Sequence, residues 1–232
     1  HINNFFTYKL YCNICRSLFE RHKLLFSFLM CIKILQGDGK IDGVEYRFLI
    51  SGISGEKAEL ANPTGPEGWV TTGTWNGICS MAGVKALEKF PQSFEKNVAK
   101  WKKVFDGLSP HTVDFPEPYE DLSPLQRMCV IRCLRQDKTM DAMQKFVIDY
   151  MGQKYVEPPP FDLKACYEDS GPVTPLVFVL STGSDPFADL KLLAEELGFM
   201  DTLKAIALGQ GQGPIAERYI TDGIENGGWV LL

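Results

Sequence analysis

"PLVFVLSTGSDPFADLKLLAEELGF", residues 175–199, decides how the chain is read. PLVFVL reads as a strand, STGSDP as a tight turn, and FADLKLLAEELG as a helix with apolar residues at helical spacing and a closing glycine. Many proteins hold a nucleotide phosphate with this order of elements. A working phosphate loop reads GxxxxGK[ST]: glycines let backbone N–H groups close around the phosphates, the lysine neutralises them, and the hydroxyl holds magnesium. This turn has one glycine, Gly183, no lysine, and an aspartate where a cation is wanted. Asp185 followed by Pro186 has the form of a helix N-cap and first helical residue. Its carboxylate then takes up the N–H groups that otherwise attract phosphate. A like charge at about 4 Å costs about 4 kcal/mol at an effective dielectric near 20, on the order of a thousandfold in affinity. Ser181, Thr182, Gly183, Ser184, Asp185 and Pro186 are therefore expected to keep the shape of a phosphate cradle without its chemistry.

Around this stretch the texture alternates. After EPPPFDL come PLVFVL, PFADLKLLAEELG, LKAIAL, PIAERYITDGIENG and WVLL, a strand and helix alternation that predicts a parallel sheet with crossover helices. The second glycine loop, LGQGQGP at 208–214, is GxGxG rather than GxGxxG and does not open the domain, so a dinucleotide site is disfavoured. A strand-to-helix turn explains it, with open backbone angles expected at Gly209, Gly211 and Gly213 and Pro214 starting the helix.

The N-terminal half is mainly helical. Leu10, Ile14, Leu18, Leu25 and Leu29 recur at helical spacing over residues 5–31, as one helix or two with a short break. One helix cannot bury its own apolar stripe, so this segment needs a partner. QGDGKIDG is a turn, and VEYRFLISG is too short to classify. Residues 62–77 form a loop ordered by burying Trp69 and Trp75. Helices are predicted at about 76–89, 92–105, 123–135 and 138–151; Ser123 and Pro124 start the third, and Met140, Met143, Phe146, Val147 and Tyr150 share one face of the fourth. The proline-broken connector LSPHTVDFPEPYED, residues 108–121, is the preferred boundary.

With 232 residues, 45% of them hydrophobic, the chain can bury a real core. It begins at His1 and ends on GGWVLL, and we expect it to be a piece of a longer chain. The most apolar run, residues 23–35, is shorter than the roughly 20 residues a membrane helix needs, and with no n-region or cleavage site before it we do not expect it to be a signal peptide. Residues 1–112 carry 14 basic and 10 acidic residues, residues 113–232 carry 10 and 19. The acidic half holds the opening loop, which disfavours bound polyphosphate or nucleic acid.

Other sites are weaker. Cys12 and Cys15, with His22 and Cys31, offer half a zinc signature, but no second closely spaced pair exists. The seven cysteines lie mostly in apolar periodic segments, as reduced core thiols do. Asp38, Asp42 and Gly43 fit positions one, five and six of a calcium loop, yet Lys40 stands at position three and Leu49 where a bidentate Glu is required. His1, His22 and His111 are scattered, with no GxSxG elbow. EKNVAKWKK, residues 95–103, reads as a solvated basic face. No catalytic, cofactor or metal residue is expected.

Several long motifs carry a resemblance. VTPLVFVLSTGSDP, AIALGQGQGPIAERYI and GGWVLL resemble the sixth AAA+ module of a dynein heavy chain; YCNICRSLFERHKLLFSFLMC and MCVIRCLRQDKTMDAMQKFVIDYMGQKYVEPPPFDL resemble the segments leading to it. The match runs in family order over essentially the whole chain, and RSLFERHKLLFSF is more similar to axonemal than cytoplasmic dyneins. The resemblance implies an α/β chain: a mainly helical half, then part of a P-loop-type parallel αβα (AAA+) domain. Residues 1–112 would end the fifth module, with 1–22 as the returning limb of the buttress, and 113–232 would begin the large subdomain of the sixth. It further implies a structural, non-hydrolysing sector of a minus-end-directed microtubule motor in the cilium axoneme. ATP and magnesium would sit in other modules. Partners would be neighbouring modules, the stalk, intermediate and light chains, and microtubules; no nucleic acid or membrane is expected. The alternative is a P-loop-type nucleotide-binding enzyme with an atypical phosphate loop.

Overall fold

The computed structural model describes residues 2–51, 60–180 and 183–232. Two compact units divide the chain, the first ending at Pro159 and the second beginning at Pro160. The connector at 108–121, expected as a boundary, lies inside the first unit, where Phe115 and Tyr119 are buried. Its prolines end helices, but the aromatic residues between them supply apolar area that the core takes up.

The first unit opens with α1 (Ile2–Cys15) and α2 (Glu20–Gly37), so the predicted segment is two helices broken at residues 16–19. Its leucines are not the buried face. Leu10, Leu25 and Leu29 are 54%, 43% and 39% exposed, while Tyr11, Cys15, Phe28, Cys31, Ile32 and Leu35 are buried. The sequence offers two apolar stripes, and the aromatic and cysteine stripe faces the core.

The unclassified VEYRFLISG lies largely in a helix, α3 (Gly43–Ser51); Asp42 starts it by accepting N–H bonds from Val44 and Glu45 at 2.6 and 3.1 Å. The helix predicted at 76–89 begins earlier and is shorter. α4 (Thr72–Ser80) is capped by Thr71, whose side chain accepts from the Thr74 N–H, and then gives way to 3-10 turns at Met81–Gly83 and Lys85–Leu87. Trp75 therefore lies in a helix rather than a loop, buried, donating its Nε1–H to the Leu60 carbonyl at 2.8 Å. The helix predicted at 92–105 divides into α5 (Phe90–Lys96) and α6 (Val98–Asp106). Asn97, at φ −121° and ψ 24°, interrupts it and bonds back to the Ser93 carbonyl.

The next two helices stand close to expectation. α7 (Pro124–Leu134) starts with Ser123 and Gln126 in a reciprocal capping box, satisfying two N–H groups the first turn leaves free. α8 (Thr139–Met151) buries Ala142, Phe146 and Val147, whereas Met140 and Tyr150, expected on the same face, are 48% and 45% exposed. α2 packs on α8, and α7 lies between α3, α4 and α8. Gln126 reaches across to Glu45 of α3 at 2.6 Å, and Arg132 donates to the Phe48 carbonyl.

The aromatic centre of this unit is Trp101, fully buried, with Phe90, Phe94 and Phe115 at ring distances of 4.9, 5.9 and 5.2 Å. Its Nε1–H has no hydrogen-bond partner among the described residues. Cys15, Cys31, Cys129 and Cys133 are buried in this unit, and burial pushes Cys31, Cys129 and Cys133 up to about 12.

The second unit contains α9 (Leu163–Glu168), α10 (Pro186–Leu197), β1 (Lys204–Ala205), α11 (Gly213–Asn226) and β2 (Val230–Leu231). β1 and β2 pair in parallel, Lys204 opposite Val230 and Ala205 opposite Leu231, and α11 is the crossover between them. The expected parallel βαβ texture is thus present for LKAIAL and WVLL. It is not present for PLVFVL: residues 174–180 form no strand, and Val177, Val179 and Leu180 are 81%, 69% and 56% exposed. An all-apolar run suits the middle of a parallel sheet, but a strand exists only where a neighbour completes its ladder. No helix of the described residues is long and apolar enough to cross a membrane.

Two outcomes follow for the first unit. Trp101→Ala should cost about 3–5 kcal/mol in urea unfolding, and Trp101→Phe much less, because the lost N–H is one that burial leaves unpaired. A hollow of about 90 Å³ lies beside His111, between α7 and α8, where the His111 Nδ1 is buried without a partner among the described residues. Burial holds this imidazole below its ordinary value; the Asp141 carboxylate opposes that, and Lys138 and Lys145 reinforce it. The unfolded chain therefore binds the proton first, and stability present above about pH 6.5 falls as pH drops toward the folded value. Urea midpoints at pH 7.5 and 5.5 should separate more for the wild type than for His111→Gln.

Candidate functional site

The turn before α10 is the candidate site. Asp185, at φ −123° and ψ 81°, is its N-cap, and Pro186 holds the first helical position. Asp185 Oδ1 accepts from the Phe187 N–H at 3.1 Å and the Ala188 N–H at 3.4 Å. Pro186 has no N–H, so the carboxylate meets the first amides the helix presents. Gly183 sits at φ 86°, the left-handed region that a side chain resists. Ser184 is exposed; Ser181 and Thr182 lie outside the described residues. The helix ends on Gly198 at φ 76°, where the Phe199 N–H reaches the Ala194 carbonyl at 2.7 Å. Both ends of α10 are thus closed by the chain's own groups.

The surrounding charge is acidic. From residue 160 onward there are 11 acidic residues and four basic ones. Lys164 is paired with Glu196, and Lys204 with Asp222. Lys191 lies over the Phe187 ring at 4.1 Å. These three lysines of the unit are engaged, and this arrangement is one that sequence spacing did not reveal; only the Lys191 to Phe187 step, four residues along one helix, was legible.

The second glycine loop joins β1 to α11. Only Gly211 takes a positive φ, 84°, so the open angles expected at Gly209 and Gly213 are not used there. A Cβ would meet no neighbour within 4 Å at any of the three. Pro214 stands in the first turn of α11, and the Gln212 side chain does not cap the helix. Trp229, just before β2, stacks on Phe199 at 5.1 Å and packs on Tyr167 at 4.9 Å. This cluster, unremarked in the sequence, steadies the parallel pair, where the Lys204 N–H bonds the Trp229 carbonyl.

The remaining candidates are placed separately. Cys15 and Cys31 are buried and Cys12 is half-buried; Cys12 lies by Tyr8 and Cys15 by Tyr11. His22 accepts from Arg21 at 3.1 Å, and His1 is outside the described residues. No His, Cys, Asp and Glu group among the described residues could hold a metal ion. In the calcium-like loop Asp38 pairs with Lys40 at 3.1 Å, Asp42 caps α3, and Leu49 is buried.

Residues 171–232 match the family model described as the dynein heavy chain region D6 P-loop domain. The whole chain is 44% identical over 234 residues to dynein axonemal heavy chain 12 of Mus musculus and 42% identical over 233 residues to dynein axonemal heavy chain 1 of Homo sapiens. It is also 37% identical over 235 residues to dynein axonemal heavy chain 2 of Homo sapiens. All of this chain is covered in each alignment, but only 8%, 5% and 5% of those proteins, so it spans less than a tenth of their length. The chain is thus similar over its whole length to axonemal dynein heavy chains, and the match to the D6 P-loop domain model falls on the unit that carries the βαβ pair.

Proposed function

We propose that the chain is a structural, non-hydrolysing sector of the AAA+ ring of an axonemal dynein heavy chain. Residues 1–112 are read as the end of the fifth module, with the buttress limb in 1–22, and residues 113–232 as the start of the sixth module's large subdomain, a division of the parent sequence that falls inside the first compact unit. The observation that carries the reading is the Asp185 carboxylate on the Phe187 and Ala188 amides. It fills with fixed negative charge the position a phosphate would take, and the lysines of that unit are engaged elsewhere. The loop keeps the strand-turn-helix order in sequence and gives the chemistry up.

In this reading the sector passes rigid-body movement between neighbouring modules and toward the stalk, while ATP and magnesium are used by other modules of the parent. Intermediate and light chains, microtubules and the cilium axoneme are the partners and place of that parent, a minus-end-directed motor for ciliary movement. The relatives' names, dynein axonemal heavy chain 12 and 1, support the location.

Calorimetry of the chain with ATP and ADP plus magnesium should record no binding; a micromolar Kd abolished by Asp185→Ala would instead make this a phosphate-binding enzyme whose aspartate holds the metal. On the proposed reading Asp185→Ala leaves nucleotide binding absent and lowers stability by about 1 kcal/mol through the lost cap, read as a shifted urea midpoint.

A further inference from the structure

α1 is held at one end. Tyr11 and Cys15, in its C-terminal half, are buried, while Phe5, Phe6 and Leu10 are 59%, 65% and 54% exposed. A 14-residue helix is about 21 Å long, so whatever fixes its buried end also sets its direction.

That end meets the 3-10 turn Gln153–Tyr155, which follows α8. Tyr155, 4% exposed, has the Tyr11 ring at 5.1 Å and the Tyr8 ring edge-on at 5.5 Å. Lys154 stands over the Tyr8 ring at 4.3 Å and near the Tyr155 ring at 5.2 Å. From the other side Ser27 of α2, fully buried, donates its hydroxyl to the Tyr155 carbonyl at 2.6 Å. One residue is thus fixed through its ring by α1 and through its backbone by α2, and it lies four residues beyond the end of the helix on which α2 packs. Ring pairs of this kind add stabilisation beyond area burial and prefer defined angles, which is what a joint requires and a greasy contact does not supply.

We propose that Tyr8, Tyr11 and Tyr155, with Lys154, form a joint that locks α1 to the α2–α8 pair, so that α1 moves with that pair as one lever. Its use in passing movement rests on the sector reading above; its existence does not. Tyr155 is a positioning residue, acting on α1 through the two other rings. Lys154 sets the joint's angle, because its ammonium faces both rings it holds together.

Amide hydrogen exchange of the whole chain reads the joint directly, since exchange reports local opening. Tyr155→Ala should raise exchange of the amides at residues 8–15 at least tenfold while leaving α5 and α7 unchanged. Lys154→Met, which leaves the ring packing, should raise the same amides about two- to fivefold, the effect of a lost surface cation–π contact, and Lys154→Arg should restore them. No change at residues 8–15 in either variant, or equal acceleration in α1 and α7, overturns the joint. Neither result bears on nucleotide binding, so the sector reading stands or falls by calorimetry alone.

Discussion

Helix α7 buries Leu125, Met128, Cys129, Val130, Ile131, Cys133 and Leu134, which leaves it almost no side that can face water. A helix apolar nearly all round needs neighbours on every side, and the first unit is that set of neighbours. α3 and α4 cover part of it and α8 the rest, with α2 outside α8. The polar contacts work at the margins of this core: Gln126 to Glu45, Arg132 to the Phe48 carbonyl, and Arg135 to the Phe105 and Gly107 carbonyls. Arg127 likewise ties the connector down through the Val113 carbonyl, with its guanidinium 4.0 Å from the Phe115 ring centre. A segment broken by prolines thereby becomes part of the core instead of a hinge.

The second unit has no comparable centre. Among its described residues few are buried, Leu163, Leu193, Ala194 and Ala216, and the sheet is one parallel pair of strands. Its order comes from local devices: the Asp162 and Asp185 caps, the left-handed Gly198 and the Trp229 stack. Such devices contribute about 1 kcal/mol each, whereas a buried helix face contributes several times that. The exposed apolar run at 174–180 belongs to the same account, since parallel strands are apolar on both faces because both are covered.

The loop that first suggested phosphate binding is accordingly best understood through its helix. Asp185 is engaged with amides of its own chain, and the proline after it has no N–H to offer. Fixed charge at a helix N-terminus stabilises the helix by the same electrostatics that attract an anionic ligand.

Features that depend on residues within four positions of each other were legible in the sequence. Ser123 with Pro124 and Asp185 with Pro186 stand where the spacing put them, since a cap bonds to amides two and three residues on. The dynein resemblance was legible as well, because long motifs in fixed order carry it. What only the tertiary structure decided is everything set by distant partners. The leucines of α1 and α2 lost the core to Tyr11, Phe28 and Ile32, Asn97 split a helix that periodicity had joined, and the connector at 108–121 went inside. PLVFVL had a strand's composition and no ladder. Side-chain spacing fixes which faces an element can offer, but burial is a contest between faces for the same neighbours, and a strand is a property of two segments rather than one.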